Sequence, residues 1–358
     1  MKHQLIQTIT RVYTKSPRFV VNAIKDIRYK MAIKKAFDTF LTEDEKQNAK
    51  LKKELRRDIL HCKKTYFTKA DEYFLFGFRT LKPSQREEFL PDWIKDEVMR
   101  HVVGSEVYHR ELRNKYNFYR LLGSYFKRDV MLLPSGGGDY ALFESFAMKN
   151  KQLFMKRNSS SRGRGIRSCE VQTTQDAHKV WESLAKDGDE WIIEEKIIQV
   201  PETALWNQSS VNTVRLPAIL NDDKFTVLGP FLRTGRAGAI ADNAGAGGIF
   251  ACIDPKTGVV TTDGIDENGV YYEKHPNSGV RYKGWQVPQW QELLEYAEQI
   301  HRVIPHHKYV GWDFALSEKG WMLVEGNWGQ FVSQYNDHIG LKKQFLELLN
   351  YQDELFGF

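Results

Sequence analysis

The sequence predicts an α+β protein in which a helical region, residues 1–105, precedes a body of mixed strands and helices. The first region has helix caps and apolar residues at helical spacing. From Asn114 onwards, short strand-like runs alternate with helical ones. Near the C-terminus, alternating apolar residues flank the turn Ser317–Gly320, which is the pattern of a β-hairpin.

The composition is that of a folded protein with a large core. Of 358 residues, 41% are hydrophobic and 13% aromatic. The cysteines Cys62, Cys169 and Cys252 are far apart in the sequence, which argues against a disulfide framework or a zinc site and predicts a reducing, cytoplasmic setting. No apolar run approaches the roughly 18 residues that span a bilayer, and the N-terminus has no signal-peptide pattern.

Basic residues concentrate at the N-terminus. Residues 1–70 hold 18 Lys and Arg against 7 Asp and Glu, a net charge of +11, whereas the rest of the chain has a net charge of −5. This asymmetry predicts an anionic partner for the first part of the chain only.

Two basic helical stretches, separated near Ser16–Pro17, are predicted within residues 1–40. The apolar residues at helical spacing in the second stretch are Phe19, Val20, Ala23, Ile24 and Ile27. The favoured interpretation is an ordinary amphipathic helix packed on the body. The alternative is a surface helix that binds anionic lipid headgroups at the inner face of the membrane, or a partner protein. No motif supports nucleic-acid binding.

Capping boxes predict two further helices in the first region. Thr42–Glu45 opens a helix that has Leu55 and Ile59 on its apolar face, and Ser84–Glu87 starts a helix that runs through Met99. No catalytic residue is predicted in this region.

The body has two strand ends with polar residues suited to nucleotide binding. The strand Gln152–Lys156 runs into the loop RNSSSRGRGI, whose small residues let backbone N–H groups approach phosphates while Lys156 neutralises charge. A flexible surface loop is the alternative interpretation. The next strand ends at Glu195 and continues into Lys196–Ile198, whose backbone is suited to hold a nucleotide base, with Glu202 placed to reach a ribose.

Polar residues of the predicted hairpin define a candidate metal site. Asp313 lies in its first strand, and Glu325 and Asn327, two residues apart, share one face of the second strand. Two carboxylates and an amide oxygen among apolar neighbours are the ligands that Mg²⁺ takes. The alternative is that both carboxylates are solvated or paired with lysines.

In this order, the motifs resemble the ATP-grasp superfamily and, more closely, the sugar-transfer associated ATP-grasp family. The segments that carry the resemblance are SVNTVRLPAIL, RTGRAGAIADNAGAGGI, IDPKTG, GWQVPQWQ and GWDFALSEKGWMLVEGN. The resemblance implies an ATP-grasp domain at 106–350, preceded by the helical region. Its two α+β subdomains, at about 106–190 and 191–350, would enclose ATP between antiparallel sheets.

The resemblance also implies roles for individual residues. Lys115 and Lys156 would contact ATP phosphates. The adenine hinge would be formed by Glu194, Glu195, Lys196 and Ile198, and Glu202 would bind the ribose. Asp313, Glu325 and Asn327 would hold two Mg²⁺ ions, with Glu325 bridging them and Asn327 also facing the nucleotide. Arg215 and Arg233, together with Lys156, would stabilise the charge of the γ-phosphate and of an acylphosphate.

The sequence departs from the family pattern in three places. The loop SSSRGRG has arginines where such loops are richer in glycine. Gly311 stands where many ATP-grasp ligases have an arginine two residues before the first metal-binding aspartate. Trp328–Gly329–Gln330 replaces the usual Pro-Gly after the metal-binding asparagine. The last two departures leave the predicted ATP site intact and concern the acceptor side.

The predicted function is an ATP- and Mg²⁺-dependent ligase that joins a carboxylate to an amine through an acylphosphate and forms a C–N amide bond. The resemblance adds a saccharide or sugar-linked substrate, modified with an amino acid in the biosynthesis of a polysaccharide such as a capsule. No protein nucleophile is required, and His101, His306 and His307 are predicted to be ordinary surface or helix-end histidines.

Two alternatives remain at this point. The first is a kinase of the same fold, which would phosphorylate the hydroxyl group of a sugar or another alcohol. The second is a non-catalytic nucleotide-binding protein that docks glycosyltransferases through the basic N-terminal helices. The three predicted metal ligands argue against the second alternative, because a scaffold has no need of them.

Overall fold

The computed structural model describes residues 18–159, 165–239, 242 and 247–352. The predicted first basic stretch, the centre of the loop SSSRGRG and most of DNAGAG lie outside these residues. The chain divides into two compact units, Met1–Arg86 and Glu87–Phe358. Within the described ranges, no helix has the length and apolarity needed to cross a membrane.

The first unit is helical, as predicted. Its described helices are α1 (Arg18–Phe40), α2 (Glu43–Gln47), α3 (Ala49–Thr65), α4 (Ala70–Leu75) and α5 (Pro83–Arg86). In α1, the side chains of the predicted apolar residues Phe19, Val20, Ala23 and Ile24 lie outside the described part of the chain. Ile27 is 57% exposed, and among the described side chains of this helix Ile33, Ala36 and Phe37 are buried.

Both predicted capping-box helices are shorter than expected. The box at Thr42 and Glu45 is present, but it opens only α2. Asn48 has an extended backbone and caps α3 through its side chain, which accepts a hydrogen bond from Leu51 N at 3.0 Å. The helix at Ser84 ends after one turn, and a new helix begins after Pro91, because proline is favoured near a helix start and disrupts a helix interior.

In the second unit, helical segments precede a four-stranded antiparallel sheet. The segments are α6 (Asp92–Val102), α7 (Ser105–Tyr108), a π-helical turn (His109–Arg113) and α8 (Lys115–Leu122). The strands are β1 (Val130–Leu133), β2 (Gln152–Arg157), β3 (Arg167–Glu170) and β4 (Trp191–Glu195), in the order β1-β4-β2-β3. Helices α9 (Tyr140–Asn150) and α10 (Thr174–Lys186) pack on this sheet through Phe143, Ala147, Ala177 and Leu184.

An eight-stranded antiparallel sheet follows in the same unit. Its strands are β5 (Thr213–Asn221), β6 (Lys224–Val227), β7 (Phe231–Thr234), β8 (Ile249–Cys252), β9 (Gly264–Ile265), β10 (Tyr271–Tyr272), β11 (Tyr309–Ser317) and β12 (Gly320–Asn327). The order is β10-β9-β8-β7-β5-β11-β12, with β6 paired to β5. The remaining helices are α11 (Pro201–Ala204), α12 (Trp290–His301) and α13 (Lys342–Leu348). Two antiparallel sheets with accompanying helices confirm the predicted α+β fold.

The predicted hairpin is formed by β11 and β12. Ser317 pairs with Gly320, which has a positive φ of 79°, a conformation that glycine adopts without strain. Asp313 lies opposite Glu325, whereas Phe314 lies opposite Leu323, so Val324 is the extra residue of a β-bulge. Every residue of β11 is buried. The hairpin therefore presents Asp313 and Glu325 side by side from a rigid strand pair.

Candidate active site

The centre of the site is a buried ion pair between neighbouring strands. Arg215 on β5 and Asp313 on β11 are register partners, and only 4% of Asp313 is exposed. Arg215 donates from Nε to Oδ1 of Asp313 and from Nη2 to Oδ2, the latter at 2.6 Å. Arg233 on β7 donates from Nη1 to the same Oδ2 at 2.9 Å. The strand order β7-β5-β11 thus brings both predicted catalytic arginines onto one carboxylate.

These contacts set the charge state of Asp313. Burial raises its pKa, but the two guanidinium groups outweigh burial and hold the pKa below its usual value. Burial likewise disfavours the charged form of Arg233, but Asp242 and Asp313 raise its pKa. Asp313 and Arg233 are therefore both charged at neutral pH.

Asp242 is a second buried acidic residue beside Arg233. It accepts a hydrogen bond from Arg233 Nη2 at 2.9 Å and another from Thr213 Oγ1. Burial raises the pKa of Asp242. Asp242 was not among the predicted site residues. Its position at the start of the glycine-rich segment DNAGAGG was a sequence signal that could have identified it.

The guanidinium of Arg215 lies between two glycines. Its Nη1 donates to Asn327 Oδ1 at 3.2 Å. A Cβ atom at Gly311 would lie 3.2 Å from Nη1, and one at Gly329 would lie only 2.0 Å from it. Gly311 and Gly329, which belong to two of the departures from the family pattern, therefore leave room for the guanidinium of Arg215 from the neighbouring strand β5.

The predicted metal ligands form an oxygen-rich group that fits Mg²⁺. A carboxylate has about four acceptor positions, and three of those on Asp313 are taken by arginine, which leaves one on Oδ1. Glu325 is half-buried, and among the described residues it has no hydrogen-bond or ion-pair partner. Glu325 and Asn327 would thus be the principal ligands, with Asp313 contributing its remaining position.

The predicted phosphate-binding lysines lie near this group. Lys156, on β2, forms an ion pair of 2.7 Å with Glu194, and both residues are buried. Lys115, at the start of α8, is half-buried, and burial lowers its pKa. Besides burial, the charges that act on Lys115 are those of Glu325, Lys156, Glu194 and Arg113, so Lys115 shares an electrostatic environment with the predicted metal ligand Glu325.

The side chain of Glu194, the first residue of the predicted adenine hinge, forms ion pairs in this structure. Its Oε2 accepts from Arg128 Nη2 at 3.0 Å while its Oε1 faces Lys156. Burial raises the pKa of Glu194, but Arg128 and Lys156 together lower it. Arg128, which the sequence analysis missed, also donates from Nη1 to the carbonyl of Leu323 on β12 at 2.6 Å. It therefore connects the two sheets beside the site.

The remaining residues of the predicted hinge are more exposed to solvent than Glu194. Glu195 pairs with Lys319 at 3.0 Å and accepts from Asp129 N at 3.1 Å, while Lys196 N donates to Gln152 O at 3.0 Å. Ile198 is 57% exposed, and Glu202, on α11, is also exposed. The hinge segment then runs along the end of β11, where Val200 N donates to Leu316 O.

The segment after Asn327 is held by a buried lysine that sequence reasoning missed. Lys95, only 2% exposed, donates from Nζ to the carbonyl oxygens of Trp328 at 2.6 Å and Gly329 at 3.1 Å. Tyr309 donates its hydroxyl to Gly329 O at 2.7 Å, and Tyr108 stacks on Trp328 at 4.2 Å. Lys95 also forms ion pairs with Asp96 at 3.0 Å and Asp92 at 3.5 Å, but no local signal marks its contacts with Trp328 and Gly329, which are more than 230 residues away.

The chain is similar in sequence to a known protein family. The model of a family described as sugar-transfer associated ATP-grasp matches residues 145–345, which is more than half of the chain. No curated protein matches in sequence.

Several solved structures are similar. D-alanyl-alanine synthetase A from Vibrio cholerae O1 biovar eltor has 11% identity and a TM-score of 0.41, with 70% of this chain and 66% of that chain covered. The ATP-grasp ligase PsnB, in complex with precursor peptide PsnA2 and AMPPNP, has 10% identity and a TM-score of 0.39, with coverages of 66% and 57%. D-alanine–D-alanine ligase from Bacillus anthracis has 11% identity and a TM-score of 0.40, with 72% of each chain covered. The chain thus spans less than two thirds of the first two proteins.

Proposed function

Because the chain belongs to the sugar-transfer associated ATP-grasp family, we propose that it is an ATP- and Mg²⁺-dependent ligase that joins a carboxylate to an amine. The observation that carries the proposal is the convergence of opposite charges at one site. The charges of Glu325 and Lys156 both act on Lys115, and Arg215 and Arg233 donate hydrogen bonds to Asp313. Cations placed around oxygen ligands are what phosphoryl transfer from ATP requires.

The reaction would proceed in two steps without a protein nucleophile. The substrate carboxylate oxygen attacks the γ-phosphorus, and the bond to the bridging β-γ oxygen breaks, which releases ADP and leaves an acylphosphate. The amine nitrogen then attacks the acyl carbon, phosphate departs with the C–O electron pair, and the nitrogen loses a proton. Mg²⁺ would neutralise phosphate charge in the first step.

The side chains of the site would orient the reactants and balance charge. Lys115 and Lys156 would bind phosphate oxygens, and Arg215 and Arg233 would turn part of their hydrogen bonding from Asp313 toward the transferring group. The open hinge around Ile198, with Glu202, would hold the nucleoside.

Arg215 supports a ligase over a kinase. Gly311 stands where many ATP-grasp ligases have an arginine, and the Arg215 guanidinium lies close to Gly311 and reaches Asn327. A cation is therefore available at the side of the metal ligands where an acylphosphate would need it.

The acceptor is proposed to be a saccharide or a sugar-linked acid that receives an amino acid, as the family description suggests. A role in polysaccharide biosynthesis, a cytoplasmic location and a contact of the basic N-terminal helices with membrane or glycosyltransferase belong to the same proposal.

The test is an ATP-consumption assay with Mg²⁺ over a panel of amino acids and uronic-acid sugars, with hydroxylamine as a trap. We expect a hydroxamate together with ADP and phosphate. ADP with a stable phosphorylated product would instead establish a kinase. No turnover by the parent protein on any pair in the panel would count against the proposal. Glu325→Gln is the matched inactive control.

A further inference from the structure

A cluster of metal-ligating side chains lies apart from the residues assigned to ATP. Glu111 Oε2 lies 2.6 Å from His306 Nε2 and 3.2 Å from His307 Nε2, and these three atoms all lie within 4.8 Å of one another. The sequence analysis predicted ordinary surface or helix-end histidines. His307 is instead fully buried, while the side chain of His306 is 51% exposed.

The local structure holds the three residues in place. Glu111 lies on the π-helical turn His109–Arg113, and single π-helical turns are frequent at functional sites. His306 and His307 lie in the turn between α12 and β11, where His307 N donates to Ile304 O at 3.0 Å. His301 Nε2 donates to the carbonyl of His307 at 2.6 Å. The backbone of His307 is therefore held by two hydrogen bonds, which fix the position from which its imidazole extends.

The donor set suits a zinc-class cation rather than Mg²⁺. Two imidazole nitrogens and one carboxylate oxygen are ligands of Zn²⁺, whereas Mg²⁺ prefers oxygen. Bonds of 2.0–2.1 Å in a tetrahedron place ligand atoms about 3.3 Å apart. The separation of Glu111 Oε2 from His307 Nε2, 3.2 Å, is close to this value, whereas its 2.6 Å separation from His306 Nε2 is a hydrogen-bond distance, so the half-exposed His306 would have to move away from Glu111 to complete the geometry.

The second oxygen of Glu111 is already occupied, which directs the first toward the histidines. Arg110 donates from Nη2 to Glu111 Oε1 at 2.6 Å.

We propose that Glu111, His306 and His307 bind a divalent cation of the zinc class, with a coordination position open to solvent beside His306. The cation would join the turn that precedes Lys115 to the turn that precedes β11, and so would stiffen two segments that lead into the nucleotide site. The proposal is independent of the ligase reaction, because the ligands are not residues assigned to ATP or Mg²⁺.

The experiment is equilibrium dialysis of the chelator-treated full chain against Zn²⁺ in excess Mg²⁺, followed by metal analysis. We expect one equivalent of zinc in the parent protein. Glu111→Gln and His306→Ala should each weaken binding about tenfold or more, whereas His178→Ala, which removes an exposed histidine elsewhere in the same unit, should leave it unchanged. Co²⁺ in place of Zn²⁺ should give the visible absorption of a tetrahedral site in the parent and in His178→Ala, but not in Glu111→Gln or His306→Ala.

Two results would overturn the proposal. Zinc binding by the parent that is no tighter than that of His306→Ala would show that the cluster is an ion pair without metal. A parent protein that binds no zinc would show the same. Circular dichroism of each variant checks folding, and the half-exposed position of His306 makes its variant the safer of the two. ATP turnover is not a readout here, so failure of this proposal and failure of the ligase proposal are distinguishable.

Discussion

Arg215 and Asp313 face each other across neighbouring antiparallel strands, and one guanidinium contacts both oxygens of the buried carboxylate. The same guanidinium reaches Asn327 through the space that Gly311 and Gly329 leave open. The position of this one arginine therefore links the predicted catalytic charges to the predicted metal ligands, and it accounts for the space at two departures from the family sequence.

Gly329→Ala tests this arrangement. The added methyl group would lie 2.0 Å from Arg215 Nη1 and 2.8 Å from Asn327 Oδ1, so the contact between these two side chains must break. We expect ATP turnover to fall by about 10²-fold or more, the scale of losing one charge-stabilising donor, with little loss of stability. Steady-state kinetics and urea unfolding are the measurements. Gly123→Ala is the control, since its methyl group meets Tyr119 at an ordinary 3.4 Å. Equal turnover in both variants would contradict the assigned position of Arg215.

Glu325→Gln separates the metal role from folding. Glu325 is half-buried and has no hydrogen-bond or ion-pair partner in the described part of the chain, so the substitution should change the free energy of unfolding by less than about 0.5 kcal/mol. Turnover should be abolished, because Mg²⁺ would lose a charged ligand. The comparison is with Glu318→Gln on the exposed hairpin turn, assayed for ATP hydrolysis and thermal unfolding. Normal turnover in Glu325→Gln would show that the metal assignment is wrong.

Glu194 should contribute to acid stability. Its pKa in the folded protein is lowered, so the unfolded chain, with a glutamate pKa of about 4.3, binds more protons at acidic pH. The stabilisation is present above that pH and is lost as the pH falls through the lower folded-state pKa. Glu194→Gln should remove this part of the pH dependence.

Glu194→Gln should also destabilise the protein at neutral pH by about 3–5 kcal/mol, because Arg128 and Lys156 would remain buried without their anion. Urea unfolding at several pH values measures both effects. The exposed Glu182→Gln on α10 is the reference variant. An identical acid limb in parent and Glu194→Gln would refute the assigned contribution.

Lys95→Met should act on the acceptor side. The substitution removes the Lys95 donor from the carbonyl oxygens of Trp328 and Gly329, which leaves only the Tyr309 hydroxyl on Gly329 O and loosens the segment that follows Asn327. We expect turnover to fall while ATP affinity, measured by calorimetry, changes less than about threefold, since Lys115 and Lys156 are untouched. Lys343→Met, at an exposed position on α13, controls for loss of charge. Equal losses of ATP affinity and turnover would contradict an acceptor-side role.

Local sequence patterns correctly predicted those elements whose formation depends on neighbouring residues. The hairpin follows from its turn glycine and alternating residues, and its register places Asp313 opposite Glu325. The predicted strand Gln152–Lys156 is present with nearly the expected bounds. The errors at Asn48 and Pro91 arose because a capping box marks where a helix begins but not how far it extends.

The sequence by itself determined the α+β class, the hairpin and the family motifs, because turn chemistry and alternation act over a few residues. Only the tertiary structure decided the partners of the buried charges. The strand order puts Arg215 and Arg233 on Asp313, and the packing of distant segments brings Lys95 to Gly329 and Glu111 to His307. Those pairings join residues separated by 80 to 234 positions, and ion pairing at such separations depends on which strands become neighbours.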